Sequence, residues 1–285
     1  RFISFLPLSH AYEHTAGQFL PVAVAAQIFY AESLEKLFTN LKEVNPTIIS
    51  AVPRLYETIY KKILNNILQK KTLIQKLFKI NCELGKMKYE NPKKYNLFHK
   101  ILKLLLSLIF DIKIKKIFGS KLKFFISGGG ALSYEINIFF ESLGIKVLQG
   151  YGLTETSPTV SCNRPEFNKL GTVGPVIKGI NIKLAKDGEI LIKGDSVMKA
   201  YWKLNSETKK KIKKNWFHTG DIGEIDSDNY LKITDRKKDI IVTTGGDNIA
   251  PQKIENMLSS KNEISKVAIF GDNKPFLIAL IVVNN

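Results

Sequence analysis

Apolar stretches separated by Gly, Pro and polar residues predict β/α units in residues 1–51. The apolar stretches lie at 2–6, 22–28 and 47–52, and the segment 32–43 between the last two predicts a helix. Pairing of such short strands through intervening helices is typical of an α/β fold.

A long helical segment follows. Pro53 can occupy the first position of a helix, and apolar residues then recur at helical spacing to about residue 118. The dipeptide Asn91-Pro92 interrupts this pattern. We therefore predict a helical insert over 53–118, with one piece before the interruption and a second piece after it.

Residues 122–153 predict a strand–loop–helix–strand unit. The strands are expected at 122–127 and 145–148, with a glycine loop at 128–130 after the first. Ser133 fits an N-cap, and Gly144 fits the position just after a helix. Parallel strands joined by a helix place their loops at the carboxyl edge of a sheet, where α/β proteins bind ligands. One buried helix face is predicted from Ile136, Phe139, Phe140 and Leu143.

Shorter alternating strands dominate from residue 171. Asp187-Gly188 predicts one hairpin, and 226–229 predicts the turn of a second. After 235 the pattern becomes strand, glycine pair, a helix from Pro251 and a final hairpin. We therefore predict a β-rich subdomain at about 171–235, a domain boundary near 235, and a small α+β domain beginning at 236–285.

Charge is concentrated in the helical insert. The chain has a formal net charge of +17, of which residues 61–123, with 17 lysines and three acidic residues, carry +14. A near-neutral body with one basic segment disfavours a nucleic-acid-binding protein. Two cysteines and four scattered histidines give no disulfide framework and no metal-binding spacing, as expected in the cytoplasm. No apolar run approaches the ~20 residues of a membrane-spanning helix.

The segment 151–158 has the composition of a phosphate site. A glycine-containing loop after a buried strand exposes backbone N–H groups to an anion. Thr154 adds a hydroxyl donor, Glu155 offers an oxygen ligand for Mg²⁺, and Tyr151 offers a planar face for a base. The alternative is that these residues only terminate a strand.

Four blocks in order resemble the adenylate-forming superfamily of acyl-CoA synthetases, adenylation domains and luciferases. They are Ser127-Gly-Gly-Gly-Ala131 with Gln149-Gly-Tyr-Gly-Leu-Thr-Glu-Thr-Ser-Pro158, Trp216-Phe-His-Thr-Gly-Asp221, Asp235-Arg-Lys-Lys-Asp-Ile240, and Thr244-Gly-Gly-Asp-Asn-Ile-Ala-Pro251. The resemblance covers nearly the whole chain. It implies the large multi-layer α/β domain of that superfamily over 1–235, followed by the small domain.

The resemblance also implies residue roles. Tyr151 would stack on adenine, Asp221 would bind the ribose, and Thr154 would hold the α-phosphate, while Glu155 would bind Mg²⁺. Arg236 would contact ribose or phosphate, and Lys238 would be the hinge between domains. Outside this context Asp221 would be read as a cap or turn residue, and the two basic residues as a solvated cluster. The remaining nucleotide-site residues implied are Gly128, Gly129, Gly130, Gln149, Gly150, Gly152 and Ile233.

The segment 6–17 resembles the block that long-chain fatty acyl-CoA synthetases place beside the acyl carboxylate. His10 and Tyr12, with Gly129 and Gly152, are the acyl-site residues this implies; a core or cap histidine is the alternative for His10. Gly245 and Gly246 would line the path of coenzyme A.

The implied reaction converts a long-chain fatty acid, Mg·ATP and CoA to acyl-CoA, AMP and pyrophosphate. Aryl or medium-chain acids are the rival substrates, and a non-catalytic nucleotide- and membrane-binding remnant is the rival class. The superfamily's lysine-containing phosphate loop and its catalytic C-terminal lysine do not occur within 1–285, so we expect a fragment that is weakly active alone. The lysine-flanked helices of 61–123 suit an anionic inner membrane face or an ordinary solvated helical hairpin. Chain length of the acid and oligomeric state are not predicted.

Overall fold

A six-stranded, mostly parallel sheet forms the centre of the fold. The computed structural model describes residues 1–259, 261 and 263–283. The strand order is β2-β1-β3-β4-β5-β6, parallel except for the antiparallel β5–β6 pair. The predicted α/β class is confirmed. The strands of this sheet are β1 Phe2–Ser4, β2 Ile28–Tyr30, β3 Ile48–Ala51, β4 Phe124–Ser127, β5 Val147–Gly152 and β6 Thr159–Cys162.

The early helices differ from the predicted bounds. The apolar stretch 22–28 spans the end of a helix and only the first residue of β2. The helix predicted over 32–43 begins only at Leu37. The Glu32 N–H donates to Asn40 Oδ1 (3.1 Å), and this bond holds the residues between Glu32 and Leu37 in a turn. These elements are α1 Ala11–Glu13, a π-helix His14–Phe19, α2 Leu20–Ala23 and α3 Leu37–Val44.

The predicted insert is helical, but it contains one break that the apolar pattern did not indicate. The first helix ends at Leu68 and the second begins at Thr72. Gln75 Nε2 donates to the carbonyls of Leu68 (2.9 Å) and Lys70 (2.8 Å), which satisfies free carbonyls at the helix end. The insert consists of α4 Pro53–Leu68, α5 Thr72–Glu90, α6 Leu97–Ile109, α7 Asp111–Lys115 and a 3-10 turn Lys116–Phe118.

The unit after the insert follows its prediction closely. The helix α8, Tyr134–Ser142, begins at Ser133, whose hydroxyl accepts the Ile136 N–H. Gly144 has a φ of +66°, the left-handed geometry expected just beyond a helix end. The predicted helix face packs into the core with 0–9% exposure at Ile136, Phe139, Phe140 and Leu143.

Both predicted hairpins are present in a five-stranded antiparallel sheet. Its order is β11-β10-β8-β7, with β9 also paired to β10. The elements are β7 Ile180–Leu184, β8 Glu189–Gly194, α9 Asn205–Lys211, β9 Ile212–Lys213, β10 Trp216–Ile225 and β11 Leu231–Arg236.

The last residues form small α+β elements. The helix from Pro251 and the final hairpin are present as predicted, and the helix packs on β14 through the Glu255 carboxylate, which accepts the Ile269 N–H (2.9 Å). The domain boundary near 235 remains a prediction. In the described residues no helix is both long enough and apolar enough to cross a membrane. These elements are β12 Ile241–Val242, β13 Asn248–Ile249, α10 Pro251–Ser259, β14 Ile264–Phe270 and β15 Ile278–Val283.

Candidate active site

A cavity of about 1260 Å³ opens at the carboxyl edge of the parallel sheet. Its walls come from loops after β4 and β5, from β10 and β11, and from Gln252 of α10. Gly245 and Gly246 lie in the turn between β12 and β13 and are not part of this lining. The other predicted site residues all line it: His10, Tyr12, Gly128, Gly129, Gly130, Gln149, Gly150, Tyr151, Gly152, Thr154, Glu155, Asp221, Ile233, Arg236 and Lys238.

Three predicted nucleotide residues meet at one carboxylate. The Tyr151 hydroxyl donates to Asp221 Oδ2 at 2.6 Å, and Arg236 Nε lies 3.3 Å from Asp221 Oδ1. Asp221 is buried, whereas the guanidinium of Arg236 remains largely exposed. Each carboxylate oxygen has more than one lone pair, so both oxygens can accept a further hydrogen bond.

The backbone of β10 fixes the position of Asp221. Asp221 pairs with Arg236 in the β10–β11 register, and a bulge follows between Ile222 and Gly223. The Thr219 hydroxyl donates to the Ile190 carbonyl (2.8 Å) and accepts the Asp221 N–H (3.0 Å). The carboxylate is therefore held by the second sheet while its partner Tyr151 belongs to the first.

Tyr151 acts only as a proton donor toward Asp221. Burial, and then the negative charge of Asp221, raise the pKa of the Tyr151 phenol far above its ordinary value. The phenol therefore stays protonated at neutral pH and remains a hydrogen-bond donor, and Tyr151 lines the cavity.

The turn after β5 requires a glycine. A Cβ on Gly152 would lie 1.7 Å from the Pro158 carbonyl oxygen. The buried Thr156 hydroxyl donates to that same carbonyl (2.6 Å) and accepts the Leu153 N–H (3.0 Å). This closed turn presents Thr154 and Glu155 to the cavity.

The carboxylate of Glu155 is suited to bind Mg²⁺. Its Oε1 accepts a hydrogen bond from the Tyr201 hydroxyl (2.8 Å), and its backbone carbonyl accepts the Met198 N–H (2.8 Å). A single oriented carboxylate beside a phosphate site is a typical protein contribution to Mg²⁺ binding, the phosphates and water supplying the rest. Within the described residues there is no cluster of three or more acidic, histidine or cysteine side chains that could hold a metal ion alone.

The glycine loop after β4 packs on Tyr12. A Cβ on Gly128 would lie 3.0–3.3 Å from the Tyr12 ring, and the Tyr12 hydroxyl donates to the Ile126 carbonyl (3.0 Å). Gln149 Oε1 accepts the Leu132 N–H (3.2 Å) and so ties the far end of the loop to β5. Tyr12 therefore packs directly beneath the loop.

His10 combines a structural contact with a place in the cavity. Its Nδ1 accepts the Tyr12 N–H (3.1 Å) and caps α1, which is the alternative that the sequence left open. Because Nδ1 is the acceptor, the neutral ring carries its proton on Nε2. His10 also lines the cavity and can present that N–H donor.

Sequence reasoning missed a buried acid beside the nucleotide residues. Glu189 accepts hydrogen bonds from the Gly220 N–H (2.9 Å) and Lys237 Nζ (3.2 Å), and lies 3.3 Å from His218 Nδ1. Burial alone would raise the pKa of Glu189, but these partners hold it below its ordinary value. The only sign of Glu189 in the sequence was that an acidic residue begins an otherwise apolar strand. Lys237 also pairs with Asp187 (2.6 Å).

Asp235 is a second missed acid in the cavity wall. Its Oδ1 accepts the Arg236 N–H (2.6 Å), and burial raises the pKa of its carboxyl group. Its Oδ2 is buried without a hydrogen-bond partner in the part of the chain that the structure describes.

The family of the chain follows from comparison with known proteins. Residues 1–202 match the family model "AMP-binding enzyme", and residues 238–285 match "AMP-binding enzyme C-terminal domain". The chain therefore belongs to the AMP-binding enzyme family, and the resemblance to adenylate-forming enzymes is confirmed.

Two curated relatives are named as fatty-acid–CoA ligases or acyl-CoA synthetases. The chain is 30% identical to "Long-chain-fatty-acid--CoA ligase FadD15" of Mycobacterium tuberculosis, covering 100% of this chain and 47% of that protein. It is 34% identical to "Long chain acyl-CoA synthetase 6, peroxisomal" of Arabidopsis thaliana, over 99% and 42%. The chain thus spans about half the length of the curated relatives it matches.

Solved structures share the fold. The o-succinylbenzoate CoA synthetase (MenE) of Bacillus subtilis, in complex with its acyl-adenylate intermediate, superposes with a TM-score of 0.73 at 22% identity, over 100% of this chain and 51% of that one. The anthranilate CoA ligase AuaEII, in complex with anthranoyl-AMP, gives a TM-score of 0.70 at 18% identity, over 99% and 48%.

Proposed function

We propose that the protein carrying this chain is an AMP-forming ligase that joins long-chain fatty acids to coenzyme A. The observation that carries the proposal is the junction of Tyr151, Asp221 and Arg236 in the same cavity as Thr154 and Glu155. The relatives named above support an acid–CoA ligase, and their names as long-chain fatty-acid and acyl-CoA enzymes support the choice of a long-chain acid.

In this proposal the nucleotide binds across the two sheets. The Tyr151 ring stacks on adenine, with Gln149, Gly150, Ile233 and the glycine loop as the surrounding wall. The free lone pairs of Asp221 accept the ribose hydroxyls, while Arg236, always charged, reaches ribose or phosphate.

The first half-reaction is an in-line substitution at the α-phosphorus. A carboxylate oxygen of the fatty acid forms a bond to phosphorus, the bond from phosphorus to the bridging oxygen breaks, and pyrophosphate leaves with that electron pair. Thr154 and Arg236 donate hydrogen bonds to the phosphate oxygens as charge accumulates there. Glu155 would hold Mg²⁺, which would neutralise further charge on the phosphates.

The acid is oriented by other residues of the same cavity. The Nε2–H of His10 donates to the carboxylate, and Tyr12, Gly129 and Gly152 shape the space around it. In the second half-reaction the CoA thiolate, formed by loss of the thiol proton to solvent, attacks the acyl carbonyl carbon. The single bond from that carbon to the phosphate oxygen breaks, and AMP leaves with its electron pair. We assign Lys238 as the hinge and Gly245 and Gly246 as the CoA path; the glycines would have to approach the cavity by a domain movement.

Calorimetry with a dodecanoyl-adenylate analogue tests the nucleotide site. We expect tight binding that Tyr151→Ala and Asp221→Ala weaken by about tenfold or more, since each loses a direct ligand contact. Asp228→Ala is the matched control, because this acid lies at an exposed hairpin turn and pairs with Lys169. Equal binding by the wild type and all three variants would contradict the proposed site.

Pyrophosphate exchange by the protein that carries the chain tests the chemistry and the acid. Hexadecanoate is expected to support exchange better than octanoate or benzoate. Preference for benzoate would favour an aryl-acid ligase. Adenylate binding without exchange for any acid would favour the non-catalytic alternative.

A further inference from the structure

Helix α6 places an apolar face outward. Leu106 is buried at 4% exposure and fixes the inner side of the helix. At 3.6 residues per turn, the opposite side carries a continuous apolar strip. Its members are each 53–71% exposed: Leu97, Phe98, Ile101, Leu104, Leu105 and Leu108. A contiguous exposed strip of this kind marks a contact surface rather than scattered surface residues.

Lysines border this strip without acidic partners. Residues 91–123 contain nine lysines and one acid, Asp111. Asp111 is buried and pairs with Lys103 at 2.8 Å, so it neutralises none of the others. The remaining eight lysines make no ion pair within the described part of the chain.

The neighbouring helices expose fewer large apolar residues, and only Leu68 of α4 and Leu73 of α5 are more than half exposed. The inner apolar row of α4 is buried at Ile59 and Ile63, and that of α5 at Phe78 and Leu84. Lys79 and Lys86 on α5 lie within 3.9 Å of glutamates of the same helix. Within the basic segment 61–123, the candidate contact surface is therefore α6 with its flanking residues.

We propose that α6 is a docking surface for an anionic phospholipid membrane. The surface consists of the six apolar residues above with Lys93, Lys94, Lys100 and Lys113, and is called the α6 surface below. Leucine and phenylalanine side chains enter the boundary between head groups and acyl chains, while lysines reach lipid phosphates. A second copy of the same surface would oppose lysine with lysine, so charge favours lipid over self-association.

Vesicle sedimentation of the protein that carries the chain tests this surface. We expect binding to phosphatidylglycerol–phosphatidylcholine vesicles, little binding to pure phosphatidylcholine, and release by salt. The double variant L104E/L108E should lower the partition coefficient by more than about tenfold, because two exposed anchors become anions. Lys100→Gln should lower it about fivefold. None of these residues lies in the cavity wall.

Helix α9 offers matched controls. Leu204 is 54% exposed beside this lysine-rich helix, and Lys209 is also exposed. Leu204→Glu introduces one glutamate in place of an exposed leucine, and Lys209→Gln matches Lys100→Gln. Both changes lie away from the α6 surface and should leave binding unchanged. If they weaken binding as much as the α6 variants, attraction is a general effect of net charge and the proposal is wrong.

An environment-sensitive fluorophore supplies a second readout. Burial raises the pKa of the Cys82 and Cys162 thiols to about 12 and about 11, so a new exposed cysteine reacts first. A label at Leu104→Cys should shift to the blue with anionic vesicles, and one at Leu204→Cys should not. Absence of wild-type binding, equal binding to neutral vesicles, or dimerisation that L104E/L108E abolishes would overturn the proposal.

Discussion

The Tyr151 hydroxyl is bonded to Asp221 Oδ2 at 2.6 Å, across 70 residues of chain. Tyr151 is the residue before the last of β5 in the mostly parallel sheet, and Asp221 lies in the middle of β10 in the antiparallel sheet. The contact therefore couples two separately hydrogen-bonded sheets at the cavity. In the proposed function, the base-binding ring and the ribose-binding carboxylate are positioned by the same bond.

A double-mutant cycle tests whether this bond positions both groups. Tyr151→Phe keeps the ring but removes the donor, and Asp221→Asn keeps the shape but removes the charge. We expect each to weaken AMP binding, with an interaction energy of about 0.5–3 kcal/mol between them, as for residues in direct contact. Calorimetry on the wild type, both single variants and the double variant gives this energy. Additive effects would mean that the two groups act independently.

Much of this arrangement could be predicted because it depends on local signals. Ser133, the glycine loop and Gly144 each match a backbone requirement that only a few residue types satisfy. Periodicity indicated which face of α8 is buried. The site residues stood in recognisable blocks, so their presence in one cavity could be expected before any distance was known.

Gly152→Ala tests the closed turn after β5. The added Cβ would lie 1.7 Å from the Pro158 carbonyl oxygen, so backbone must move. We expect a loss of about 1–3 kcal/mol in the free energy of unfolding, and weaker adenylate binding. Gly130→Ala is the control, since its Cβ meets only Pro53, at ordinary contact distances of 3.5 Å to Cγ and 3.7 Å to Cδ. Denaturant unfolding of both variants is the measurement; equal stability would contradict the clash.

Other features could not be predicted, because they depend on contacts between distant segments. The break between α4 and α5 is stabilised by Gln75 reaching back to two carbonyls, which no apolar pattern indicates. Helix α6 is apolar on most of its circumference, so periodicity did not identify its inner side. Glu189 became a candidate only when the fold placed Lys237 and Gly220 beside it.

The orientation of α6 can be checked by stability alone. Leu106→Ala removes a side chain that is 4% exposed, and should lower the free energy of unfolding by about 2–5 kcal/mol. Leu104→Ala changes a side chain that is 63% exposed and should stay within about 0.5 kcal/mol of wild type. Chemical denaturation distinguishes them. The reverse order would mean that the helix is rotated, with the strip facing inward.

A buried polar cluster joins α5, α6 and α7. Lys103 Nζ donates to Asn81 Oδ1 and Asp111 Oδ2, both at 2.8 Å, and Asn81 Nδ2 donates to Asp111 Oδ1 at 2.7 Å. Lys103→Met leaves the Asp111 carboxylate buried without its counter-ion. We therefore expect the free energy of unfolding to fall by about 3–5 kcal/mol. Lys100→Met on the exposed side should change little. Similar small losses in both would show that the cluster is dispensable.

Glu189 predicts a specific pH dependence of stability. Its carboxylate is favoured in the folded state by Lys237, His218 and the Gly220 N–H, so its folded pKa lies below the ordinary 4.5. Its contribution is therefore present above about pH 4.5 and is lost as pH falls through the lower folded pKa. Glu189→Gln should destabilise the protein near pH 6–7, and the difference from wild type should shrink on acidification.

The quantity to measure is the difference in the free energy of unfolding between wild type and Glu189→Gln, obtained by denaturant unfolding across pH 3–7. Raised pKa values at Glu13 and Asp235, where burial disfavours the charged form, act in the opposite direction and cancel in that difference. Glu224→Gln is the control, because this acid is exposed and lies 3.7 Å from Lys232, a surface pair that contributes about 0–1 kcal/mol. A difference for Glu189→Gln that grows on acidification would mean that its carboxylate is not held in the charged form.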